Sequence, residues 1–231
     1  MLAERGFRVI AIAAPGAGET PPLGDPDGYL PTRLAQIVLD VADSVGVDRF
    51  VFVGHSWGAS IGVHLGARHP DRVEGLVLLD AGHTDVTLDG SRDELVHRFE
   101  TDQEQFAFDS WEAFFAWVRE RVRDWRPTLE PRYREGMAER DGKIVPRASA
   151  RAAAWALHGV RTEPPSSAHT LLHVPVLLIV ASNNDDHEAL ERFRRAVPQA
   201  TVSIVDSGHD VVEDAPGETV SLVAEWLAAE S

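Results

Sequence analysis

An α/β fold is predicted: a mostly parallel sheet with helices on both faces, interrupted by a helical insertion. Three observations carry the prediction. Short apolar runs alternate with stretches of helical periodicity through residues 1–81 and 174–231, the pattern of parallel strands joined by crossover helices. Between about Gly82 and His173 the alternation gives way to aromatic-rich helical patterns, so residues 82–173 read as a helical cap inserted into the core. One strand-to-helix junction reads Gly54-His55-Ser56-Trp57-Gly58, a sharp turn of the kind that lifts a side chain clear of a parallel sheet.

The elements follow in order. Val9 to Ala14 is the first apolar run and reads as a buried strand, ended by Pro15-Gly16. From Pro31 to Val45 the residues Leu34, Ile37, Val38, Val41, Ala42 and Val45 recur at helical spacing, with Gly46 as the stop. Phe50 to Val53 is the next strand, a helix runs from the turn to about Arg68, and Val73 to Leu79 is a third strand ending at Asp80. Within the insertion, Trp111, Phe114, Phe115, Val118, Val122 and Trp125 form one stripe, expected to pack against the main domain as the underside of a lid. Val174 to Ala181 and Thr201 to Val205 are two further strands, separated by a helix near His187 to Val197, and a helix near Glu218 to Ala229 closes the chain.

Composition narrows the function. A formal charge of -15 over 231 residues argues against nucleic acid and anionic membrane surfaces, which select clustered cations. The chain has no cysteine, which excludes disulfides, a thiol nucleophile and cysteine-ligated metal and agrees with a cytoplasmic protein. The apolar run after Arg5 and Arg8 is too short for a signal peptide, and no segment approaches the roughly 18 apolar residues of a membrane span. The expected partner is a small-molecule substrate, with no cofactor and no metal.

Gly54 and Gly58 sit where a side chain would collide with neighbouring backbone, so Ser56 is the candidate nucleophile. A serine needs a histidine to take its proton and a carboxylate to orient that histidine, in the chain order Ser, acid, His. Of the ten histidines, His209 stands in Asp206-Ser207-Gly208-His209-Asp210, a turn directly after the final strand, from which it can reach back over the sheet edge. His55, inside the turn, is expected to face away from the hydroxyl. For the acid, Asn183-Asn184-Asp185-Asp186 follows the strand ending at Ala181 and lies on the same rim as the turn. Asp185 is the first choice, with Asp186 and Asp80 as alternatives.

Together with His69-Pro70-Asp71-Arg72-Val73, Leu76-Val77-Leu78-Leu79-Asp80 and Gly208-His209 followed by Pro216, the turn resembles the α/β-hydrolase superfamily over nearly the whole chain. The resemblance implies Ser56 as nucleophile, His209 as base, Asp185 as acid, the Trp57 backbone N–H as an oxyanion donor, and a helical cap. Serine in place of aspartate at position 56 argues against the epoxide hydrolases and haloalkane dehalogenases of that superfamily. Esterase, lactonase, thioesterase, amidase and cofactor-free haloperoxidase branches remain open.

The chain also departs from the pattern. The central strand and His-Gly oxyanion loop that family members carry ahead of the position of Leu2 are absent, and Ala13 and Ala17 stand where an aspartate and a histidine are usual. His158-Gly159 lies in a helical context and is a coincidental match. Leu2-Ala3-Glu4-Arg5-Gly6 reads as the end of a helix, so the expectation is a truncated or misassigned start. With one oxyanion donor gone, a rate loss of about 10²- to 10³-fold is expected. Two functions compete: a serine hydrolase acting through an acyl-enzyme on Ser56, and a low-turnover ligand-binding or signalling protein on the same scaffold.

Overall fold

The computed structural model describes residues 2–122, 125–184 and 186–230. Its centre is a four-stranded parallel sheet in the order β1-β2-β5-β6, built from β1 (Phe50–His55), β2 (Val73–Leu79), β5 (Val176–Ala181) and β6 (Ala200–Val205). The two inner strands are nearly continuous apolar runs because both faces are covered. Alternation along each strand divides the core in two. Leu76, Leu78, Leu178 and Val180 face a cluster completed by α1 (Pro31–Ser44), α2 (Trp57–Arg68) and α7 (His187–Ala196). Val77, Leu79, Leu177 and Ile179 face the other, completed by α8 (Val211–Asp214) and α9 (Pro216–Glu230).

Local chemistry sets the helix ends. Pro31 opens α1, where its missing N–H costs nothing. Beyond the C-terminus of α1, Gly46 adopts φ +68°. Asp186 caps α7, its carboxylate accepting from the Ala189 N–H at 2.9 Å.

The chain divides into two compact units, one of Met1–Ile12, Leu30–Thr87 and Gly159–Ser231, the other of Ala13–Tyr29 and Leu88–His158. The second contains α3 (Arg92–Glu104), α4 (Trp111–Arg119), α5 (Glu130–Glu135), the greater part of α6 (Ala150–Thr162), and a feature that the helical reading of the insertion did not include. Met137–Arg140 (β3) and Lys143–Pro146 (β4) pair as an antiparallel hairpin. Its two-residue turn is Asp141-Gly142, both at positive φ (50° and 73°), the geometry for which an Asp-Gly pair is suited. The aromatic stripe packs on this hairpin. Phe114, Phe115 and Val118 form a cluster with Met137 and Ile144 of the hairpin, joined by Phe108, Trp111, Trp117, Val122 and Trp125.

The expected strand at Val9 to Ala14 does not form. These residues adopt no regular element and Arg8 to Ala13 are exposed, with Val9 at 55% and Ile10 at 41%. A strand requires a partner for its backbone groups, and β1 pairs only with β2 among the described residues. Val53, on that open side, is 44% exposed. The Leu2 to Gly6 segment is a single 3-10 turn, Ala3–Arg5, capped by Gly6 at φ 93°.

Candidate active site

Ser56 occupies the turn between β1 and α2 with φ 53° and ψ −119°, a region that a non-glycine residue enters only under constraint. The constraint is visible on both sides. Its N–H donates to the Leu79 carbonyl at 3.0 Å, fixing the turn to β2. A Cβ on Gly54 would lie 2.4 Å from the carbonyl atoms of Gly58, so only glycine lets strand and helix approach this closely. Gly58 does not share that restriction, because a Cβ there would meet nothing within 4 Å; its backbone is what Gly54 accommodates.

His209 follows β6, and its Nε2 lies 2.8 Å from Ser56 Oγ. Its Nδ1 lies 2.7 Å from Oδ2 of Asp80, whose side chain is 3% exposed. The carboxylate accepts from Nδ1–H, so the network sets the tautomer that leaves Nε2 as acceptor for the serine proton. Asp80 directly follows β2 at φ 49°, a left-handed conformation that aspartate tolerates better than most residues. Its N–H donates to the Ile179 carbonyl at 2.7 Å, and its Oδ1 accepts from the Ala181 N–H at 2.8 Å and from Asn184 Nδ2 at 3.2 Å. Three N–H donors therefore converge on the two oxygens.

The carboxylate on His209 is thus Asp80, one of the two alternatives to the first-choice Asp185. Asp185 lies outside the described residues, and Asp186 is engaged as the α7 cap. Among the described residues of the Asn183 to Asp186 cluster, Asn184 reaches this site, donating to Asp80 Oδ1. Trp57 is the first residue of α2, so its backbone N–H belongs to the donors that a helix start leaves without intrahelical partners. His158-Gly159 lies within α6, as its helical context implied.

The loops behind the site are pinned by groups that the sequence did not single out. Gly208 N–H donates to Asp214 Oδ2 at 2.7 Å, fixing the loop that carries His209. His169 Nε2 donates to the Gly82 carbonyl at 2.7 Å, fixing the loop that follows Asp80. His64 Nε2 donates to the Glu163 carbonyl at 3.0 Å. Burial holds His64, His83 and His169 below the usual imidazole value, by desolvating the cation. For His83 the negative charges of Asp80 and Asp186 oppose that effect without overcoming it.

Among the described residues, no group of three or more His, Cys, Asp or Glu is placed to hold a metal ion. No helix there is long and apolar enough to cross a membrane.

Known proteins share stretches of this sequence and this fold. The chain is 42% identical over 80 residues to a protein of Mycobacterium phage D29 provisionally named a non-heme haloperoxidase, covering 35% of this chain and 28% of that one. It is 36% identical over 93 residues to epoxide hydrolase B of Mycobacterium tuberculosis, covering 39% and 26%. These matches span little more than a quarter of the relatives' own lengths. Among solved structures, E-2-(acetamidomethylene)succinate hydrolase superposes with a TM-score of 0.78 at 24% identity, over 93% of this chain and 79% of that one. An α/β hydrolase from Novosphingobium aromaticivorans gives a TM-score of 0.72 at 23% identity, over 98% and 83%. At these identities the superpositions speak for the fold. The family described as alpha/beta hydrolase fold matches residues 1–216, nearly the full length of the sequence, and the chain belongs to that family.

Proposed function

We propose that the chain is a serine hydrolase that cleaves an ester or related acyl bond of a small substrate through an acyl-enzyme on Ser56. The observation that supports this reading is the unbroken relay from Ser56 Oγ through His209 to Asp80, with separations of 2.8 and 2.7 Å. His209 Nε2 takes the hydroxyl proton as Oγ attacks the acyl carbon, and Asp80 stabilises the imidazolium that forms. The Trp57 N–H, at the positive end of α2, faces charge developing on the carbonyl oxygen. Collapse expels the alcohol, protonated by His209, and water then releases the acid by the same steps in reverse order.

Epoxide opening, the activity named for several relatives, fits a serine poorly. Oγ attack on an epoxide carbon would leave an ether, which water does not cleave under these conditions, whereas attack on an acyl carbon leaves a hydrolysable ester.

The test is reaction with a fluorophosphonate probe, with the adduct located by mass spectrometry, alongside turnover of p-nitrophenyl esters. Labelling confined to Ser56 and abolished in Ser56→Ala is the expected result. A folded chain that neither labels nor turns over ester would overturn the reading in favour of a binding protein.

A further inference from the structure

His55, expected only to face away from the Ser56 hydroxyl, has partners of its own. It is the last residue of β1, paired with Leu79, and therefore stands on the same rigid sheet rim as Ser56 and Asp80. Its Nε2 lies 2.8 Å from the backbone carbonyl of His209, and its ring centroid lies 4.8 Å from that of His209 at a 43° tilt. A carbonyl can only accept, so Nε2 carries the proton and donates it. The same carbonyl accepts from the Val211 N–H at 3.0 Å, which occupies both of its lone pairs.

His209 has little else to hold it. Its side chain is 55% exposed, so packing does not immobilise it and its orientation depends on polar anchors. Asp80 and Ser56 anchor the ring itself, and Asp214 anchors the preceding Gly208. Among the described residues, the contact from His55 is the one that ties the backbone of the base directly to the strand that leads into the nucleophile. Asp210, with Oδ1 at 4.0 Å from His55 Nε2, is 57% exposed and contributes little beside it.

We infer that His55 is a positioning residue: by donating from Nε2 to the His209 carbonyl and bracing one face of its ring, it sets the register between the base and the nucleophile. The inference rests on the proposed hydrolase reading. It assigns His55 no contact with substrate, so its loss acts on the chemical step and leaves substrate binding unchanged.

His55→Leu removes the donor, and His55→Gln keeps an N–H the same number of bonds from the backbone. Expected for His55→Leu is a fall of about 10- to 100-fold in kcat and in the rate of fluorophosphonate labelling, the scale of a small misplacement of a reacting group, with KM unchanged. His55→Gln should recover most of that loss. An independent readout is the downfield proton resonance of His209 Nδ1–H on Asp80, which should broaden or vanish in His55→Leu and persist in His55→Gln. Should the leucine variant fail to fold, His55→Asn, too short to place a donor at the carbonyl, replaces it. A parent chain that labels at Ser56 together with a donor-less variant that labels equally fast and keeps the resonance overturns the role of His55. Equal losses in the Gln and Leu variants overturn it too. A parent chain that does not label at all overturns the hydrolase reading instead.

Discussion

Asp80→Asn gives the sharpest test of the site. The amide keeps an oxygen to accept from the Ala181 N–H and from Asn184, now at 2.8 and 3.2 Å from Oδ1, so the buried donors stay satisfied. Asparagine also tolerates the φ of 49°. The other amide position, however, presents an NH2 to His209 Nδ1 across 2.7 Å. Two donors cannot share that line, so the ring must move its proton to Nε2, and that nitrogen then faces Ser56 Oγ at 2.8 Å as a donor unable to accept the serine proton. In other Ser-His-Asp enzymes the same change lowers kcat by about 10⁴ with geometry preserved. At about 1.36 kcal/mol per decade this is about 5.5 kcal/mol of transition-state stabilisation. The assay is kcat for a p-nitrophenyl ester and the fluorophosphonate labelling rate, with a thermal melt to show that the variant is folded. Asp185→Asn and Asp186→Asn, assayed in parallel, should remain within a few-fold of the parent. A folded Asp80→Asn protein within tenfold of the parent, or an equally deep loss in Asp185→Asn, would refute the assignment.

Two further outcomes concern stability. Gly54→Ala places a Cβ 2.4 Å from Gly58 backbone atoms and should destabilise by about 3 kcal/mol or more or prevent folding, whereas Gly58→Ala meets nothing within 4 Å and should be neutral or stabilising by about 0.5–1 kcal/mol. Urea midpoints of the two variants check this, and equal destabilisation would contradict the elbow geometry. His64, His83 and His169 all bind protons less readily folded than unfolded, so stability is fully present above the ordinary imidazole value of about 6.5 and is lost as pH falls below it toward their folded values. Denaturation between pH 7 and 5 should show stability falling by up to about 1.4 kcal/mol per pH unit for each histidine, with a shallower slope in His64→Gln; a flat profile would mean that they are not desolvated.

Local pattern was enough for the parallel core. The apolar runs at Val73 to Leu79 and Val176 to Ala181 are strands because nothing but two covered faces suits five consecutive buried residues, Gly75 to Leu79, in the first and six in the second. Gly54 and Ser56 were legible for a similar reason: a strand, a glycine-flanked serine and a helix within a few residues specify the turn by themselves. His209 could be singled out because the turn containing it follows the last strand and precedes a helix. The hairpin at Asp141-Gly142 carried its own signal, the Asp-Gly pair itself, but the segments on either side do not alternate and lie among patterns dominated by helix.

What only the tertiary structure decided is whatever depends on residues far apart in sequence. Asp80 and Asp185 both follow strands that end on the same rim, so local pattern could not separate them. The strand order β1-β2-β5 places Asp80 between the elbow and β5, where the Ala181 N–H and Asn184 meet its free oxygen. The hydrogen bond from His55 to His209 spans 154 positions and has no local signature. Val9 to Ala14 is as apolar as the strands of the core yet stays exposed and irregular, because apolar sequence permits a strand and a neighbouring strand's N–H and C=O groups are what make one. Periodicity along the chain therefore determined which segments could enter the sheet and where its reactive turn lies, while pairing across the chain decided which of them did and which carboxylate faces the base.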